Sequence, residues 1–144
     1  MKKKLTSVLL VDDDNDCNFF HKRLLVKMGC AEEIVTAENG LEAIHFLESC
    51  NNNNPRWPAI IFLDINMPKM NGWEFLERYK KFDEQMKEKM VIVVLTTSLN
   101  PDDKEKASRI GEVKGYYNKY LTYEALEQIL KERFPECIIN NASL

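Results

Sequence analysis

Residues 59–72 read AIIFLDINMPKMNG. Ala59, Ile60, Ile61, Phe62 and Leu63 form an unbroken apolar run that Asp64 closes, before the chain turns through Pro68 and Gly72. A short apolar run bounded by turn residues fits a strand buried on both faces, as in a parallel sheet covered by helices. An ionisable carboxylate ending such a strand is expensive unless a counter-charge or a bound ion compensates it. The fold and the chemistry both depend on what else the chain delivers to that strand end.

Outward from this run, strand-like and helix-like patterns alternate. Leu5 to Val11, 34–37, VIVVL (91–95) and GYYNK (115–119) read as further strands. Asn15 to Met28 reads as a helix stopped by Gly29, with Cys17, Phe20, Leu24, Leu25 and Met28 at helical spacing on one face. A second helix spans Leu41 to Cys50, with Leu41, Ile44 and Leu47 inward. The polar stretch NNNNPRWP (51–58) is a loop. A third helix, Trp73 to Lys89, carries Phe75, Leu76, Tyr79 and Phe82. The fourth, over 100–111, has Asn100 as cap, Pro101 at its first position and Gly111 as stop. Thr122 caps a fifth helix bearing Leu126, Ile129, Leu130 and Phe134.

Five strands alternating with five helices predict an α/β fold with a flavodoxin-like, doubly wound five-stranded parallel sheet in the order 2-1-3-4-5. The expected organisation is one domain over 1–134, a short tail over 135–144 and no effector domain. A net charge of −3 gives no electrostatic reason to expect nucleic acid. Lys2, Lys3 and Lys4 precede apolar residues, but the run Val8 to Val11 is too short for a secretory signal, and no stretch matches a membrane span. Cys17, Cys30, Cys50 and Cys137 lack any C-x-x-C spacing and read as reduced thiols of a cytoplasmic protein.

In a parallel sheet all strands end at one edge. Asp12, Asp13 and Asp14 follow the first strand, Asp64 the third, Thr96, Thr97 and Ser98 the fourth, and Lys119 the fifth. The first and third strands are neighbours in the predicted order, so their carboxylates should converge. Crowded carboxylates call for a hard dication, and oxygen ligands with room for water favour Mg2+. A dication, a nucleophilic carboxylate, a hydroxyl and an ammonium together suit phosphoryl transfer.

The motifs LLVDDD, FLDINMPKMNGWEFL, VVLTTS and GYYNK, in this order and each ending a predicted strand, make the chain resemble the response-regulator receiver domains of two-component signalling over Leu5 to Phe134. The resemblance implies a single-domain, chemotaxis-regulator-like phosphoacceptor. Asp64 would receive a phosphoryl group from a sensor histidine kinase or a histidine phosphotransfer protein. Mg2+ would be held by Asp13, Asp64 and the Asn66 backbone carbonyl, with Asp12 acting mainly through water. Thr96 and Lys119 would then close on the phosphoryl group, and Tyr116 would rotate inward. This would reshape the surface of the fourth helix, last strand and last helix (the α4-β5-α5 face of the predicted order), where a protein target or a second copy of the chain docks. The family's usual proline after the lysine is replaced by Tyr120.

Other readings compete. Asp14 is read as a helix cap, Thr97 and Ser98 as loop hydroxyls, and Trp57 and Trp73 as packing residues. His21 and His45 are placed on helices far from the carboxyl edge. A phosphohydrolase of the haloacid-dehalogenase type would carry a second aspartate where Asn66 stands. A flavin site would need a Gly/Ser/Thr-rich first turn, which here is acidic. A receiver that binds without being phosphorylated is the remaining alternative.

Overall fold

The computed structural model describes residues 4–137. Lys2 and Lys3, and positions 138–144 of the expected tail, lie outside the described residues. The order is β1 (Leu5–Val11), α1 (Asn15–Met28), β2 (Ala31–Ala37), α2 (Gly40–Ser49), β3 (Ile60–Leu63), α3 (Gly72–Tyr79), α4 (Glu84–Lys87), β4 (Val91–Thr96), α5 (Pro101–Ser108), β5 (Val113–Asn118) and α6 (Tyr123–Arg133). All strands pair in parallel as β2-β1-β3-β4-β5.

Alternation along the buried strands divides the core in two. Val8 and Leu10 of β1, Ile60 and Phe62 of β3, and Val93 and Leu95 of β4 pack with Leu25, Met28, Leu126 and Leu130 of α1 and α6. Leu9, Val11, Ile61, Leu63 and Ile92 point the other way, onto Ala43, Ile44 and Leu47 of α2 and Phe75, Leu76 and Tyr79 of α3. This two-sided cover explains why β3 is continuously apolar rather than alternating. The register pairs Val11 with Leu63 and Leu63 with Val94, so β1 and β3 end level and β4 runs on through Leu95 and Thr96.

Four sequence expectations shift. The Trp73–Lys89 helix is interrupted after Tyr79. The Lys81 and Phe82 amides bond back only three residues, to Arg78 and Tyr79, and extended Asp83 caps α4 by accepting from the Gln85 amide. That division makes the predicted α4-β5-α5 face α5, β5 and α6 here. Leu41 is 38% exposed, because Gly40, Ala43, Ile44 and Leu47 form the inward stripe of α2. Phe20 is 47% exposed and His21 takes the inward position, since the buried stripe of α1 runs Cys17, His21, Leu25 and Met28. Packing also continues past Phe134: Cys137 is buried in the α1/α6 core, with its Sγ 3.5 Å from the Cys30 carbonyl.

Among the described residues no helix is long and apolar enough to cross a membrane. The caps at Asn100 and Thr122 form as expected, each side chain accepting a first-turn amide. Gly29 closes α1 at φ 61°, the left-handed conformation that favours glycine.

Candidate functional site

The level ends of β1 and β3 bring three acids together. Asp12, Asp13 and Asp64 each offer a carboxylate oxygen within 4.8 Å of the others. Asp12 and Asp64 are buried and Asp13 faces solvent. Lys119, at the end of β5, reaches across: its Nζ lies 2.6 Å from Asp12 Oδ2 and 3.4 Å from Asp64 Oδ2, with only 6% of the side chain exposed. Thr96 ends β4 fully buried. Its Oγ1 accepts from the Ser98 amide at 3.0 Å, and its carbonyl accepts from the Lys119 amide at 3.0 Å. The Lys119–Tyr120 peptide is cis.

Local chemistry fixes these positions. Asp12 Oδ1 accepts from the Asp14 amide, and Asp14 caps α1 by accepting from the Asp16 and Cys17 amides, the role expected for it. Those two backbone bonds hold the Asp14 carboxyl below the usual range. Asp64 Oδ1 accepts from the Asn66 amide at 3.2 Å. The loop then folds back so tightly that the Gly72 amide bonds the Ile65 carbonyl. A Cβ at Gly72 would lie 2.6 Å from Ile65 Cα and 2.7 Å from the Asp64 carbonyl, so only glycine fits there.

Burial raises the Asp64 carboxyl to about 6, with Lys119 opposing and Asp12 adding to the shift. Burial pulls the Lys119 ammonium down. The Asp12 bond and the charges of Asp64 and Asp12 outweigh it and leave Lys119 above the ordinary lysine value. Three carboxylates against one ammonium leave an excess of negative charge on hard oxygen donors, which is the donor set a small dication takes. The acids therefore fit Mg2+.

The response regulator receiver domain family matches residues 8–132. The chain belongs to that family. A crystal structure of a two component response regulator from Cytophaga hutchinsonii is similar at 38% identity with a TM-score of 0.83, covering 90% of this chain and 97% of that one. The chemotaxis protein CheY homolog of Campylobacter jejuni is 29% identical over 131 residues, 91% of each chain. Hybrid signal transduction histidine kinase C of Dictyostelium discoideum is 29% identical over 140 residues, of which this chain spans 94% of its own length and 11% of the kinase's. Receiver domains of this family belong to two-component systems and are generally phosphoacceptors rather than turnover enzymes.

In this receiver domain, Asp12, Asp13, Asp64 and Lys119 are brought together, with Thr96 at the adjoining strand end. Asn66 meets Asp64 through its amide. Tyr116 stands on β5 with its hydroxyl buried and without a hydrogen-bond partner among the described residues, while the nearby Ser98 hydroxyl donates to Asp103 at 2.6 Å. Burial raises the Tyr116 hydroxyl, and the Asp103 charge adds to this.

His21 does not lie far from the carboxyl edge as expected. With Asn18 it lines a small cavity of about 10 Å³ whose wall also includes Asp12 and Asp64. The sequence carried a signal for this, since Cys17, His21, Leu25 and Met28 recur at helical spacing; an apolar reading of the face favoured Phe20 instead.

Proposed function

We propose that the chain is a phosphoacceptor switch. An Asp64 carboxylate oxygen attacks phosphorus, a new O–P bond forms, and the bond from phosphorus to the donor breaks with the electron pair leaving on the donor. The donor is the phosphohistidine of a sensor histidine kinase or a histidine phosphotransfer protein. Mg2+, held by Asp13, Asp64 and the Asn66 carbonyl with Asp12 nearby, would neutralise charge on the phosphoryl oxygens. Lys119, already between Asp12 and Asp64, supplies a second positive charge, and the Thr96 hydroxyl a hydrogen bond. The reading rests above all on Lys119 meeting Asp12 and Asp64 in one buried cluster.

No second carboxylate occupies position 66, so the site lacks the general acid that a phosphohydrolase would use. The adduct is then the signal. It is read in the cytoplasm through α5, β5 and α6, where Tyr116 sits and where a protein target or a second copy of the chain docks.

Incubation with Mg2+ and acetyl phosphate, followed by intact mass, tests this. The expected result is one added phosphoryl group in the wild type and none in Asp64→Asn. Rapid hydrolysis without an adduct would favour an enzyme, and no adduct with no hydrolysis would favour a receiver that only binds.

A further inference from the structure

The loop that carries Lys119 continues directly into Tyr120 and Leu121. Leu121 is 1% exposed, and its amide needs an acceptor. That acceptor is a side chain on another element: the Leu121 amide donates to His21 Nε2 of α1 at 3.1 Å. Around this bond, Phe20 and Tyr120 stack edge to face at 5.0 Å between ring centres, and the His21 ring lies 5.6 Å from each of them. One turn earlier on α1, Cys17 Sγ lies 4.0 Å from Lys119 Nζ. On the same helix the Asn18 Nδ2 donates to the Asp12 carbonyl at 2.9 Å. One helix therefore grips both the β1 end that carries Asp12 and the loop that carries Lys119.

We propose that His21 is a positioning residue for Lys119, acting through the Leu121 amide to hold the ammonium between Asp12 and Asp64. This role rests on the phosphoacceptor reading above, and it belongs to this chain's own residues, with aromatic Tyr120 in place of proline and a histidine facing it. Burial lowers the imidazole to about 4, Asp12 opposing, so the ring is neutral at pH 7 and can accept the bond.

His21→Phe keeps a ring but removes the acceptor, and His21→Gln places an amide oxygen near the position of Nε2. Phosphorylation by acetyl phosphate is expected to slow about tenfold in His21→Phe and to return within about threefold of wild type in His21→Gln. In a Lys119→Ala background His21→Phe should have no further effect, since the group it positions is gone. Equal slowing in both backgrounds, or His21→Gln as slow as His21→Phe, would overturn the proposal and leave His21 a packing residue. Should His21→Phe not fold, His21→Asn, too short to reach the amide, replaces it in the same comparison.

Calorimetric titration with Mg2+ alone gives a readout independent of phosphorylation. Freed from its hold, Lys119 competes less for Asp12 and Asp64, so His21→Phe should bind Mg2+ more tightly, in the direction of Lys119→Ala. Unchanged affinity in His21→Phe beside a tighter Lys119→Ala would count against positioning. A wild type that takes up no phosphoryl group, together with tighter Mg2+ binding in His21→Phe, would sink the phosphoacceptor reading and spare this one.

Discussion

His21 and Asp64 are buried within the same small cavity wall, and their ionisations act on stability in opposite senses. The imidazole ionises near 4 when folded against an ordinary 6.5. Its folded form resists protonation, so the stability it contributes is complete above 6.5 and is lost as the pH falls toward 4, by up to about 3 kcal/mol. The Asp64 carboxyl ionises near 6 when folded against an ordinary 3.8, so its contribution is complete below 3.8 and is lost as the pH rises through 6. Between pH 4 and 6.5 the two partly cancel. Urea unfolding in the presence of a chelator should therefore show a shallow pH profile for the wild type. Asp64→Asn removes one side of the balance and should lose stability more steeply on acidification from pH 7 to 4. Parallel profiles would show that the two groups do not oppose each other in this way.

At the scale of elements, the turn after β3 decides where Asp64 points. Gly72 opens α3 and packs against the backbone of Ile65 and Asp64, whereas Gly111, between α5 and β5, has nothing within 4 Å of where a Cβ would stand. Gly72→Ala should cost about 1–3 kcal/mol through forced overpacking, and weaken Mg2+ binding by displacing Asp64. Gly111→Ala should stay within about 0.5 kcal/mol of wild type, as an open surface position does. Denaturant midpoints with and without Mg2+ measure both, and equal effects would refute the close-packing argument. The elements themselves were largely legible in the sequence. Asn100 with Pro101, Thr122 and Gly29 mark helix ends by local hydrogen bonding that needs no tertiary partner. The break after Tyr79 was not legible, because the apolar stripe continues through Phe82 while Asp83 restarts the helix. Leu41 and Phe20 were misplaced because composition names apolar residues but the stripe's phase is set by the sheet it meets.

For the whole molecule, the acid cluster ties folding to divalent cation. Three carboxylates brought within 4.8 Å repel one another only in the folded chain, so an ion that binds them binds the native state. Mg2+ at 100 times its dissociation constant should raise the unfolding free energy by ~2.7 kcal/mol, and chelator should return it to the starting value. Asp13→Asn and Asp64→Asn should show little of this gain in thermal or urea unfolding. A stabilisation equal to wild type in both variants would place the ion elsewhere.

The sequence by itself determined the alternation of strands and helices, the parallel sheet and its order, and the arrival of Asp12, Asp13, Asp64, Thr96 and Lys119 at one edge. These follow from periodicity, from the order that five-stranded doubly wound sheets commonly take, and from the rule that parallel strands all end on the same side. Tertiary structure alone decided which way Lys119 reaches and what holds it there. The bond from the Leu121 amide to His21 joins residues 100 apart in the chain. No local pattern encodes a contact of that kind, because it exists only once α1 has packed beside the end of β5.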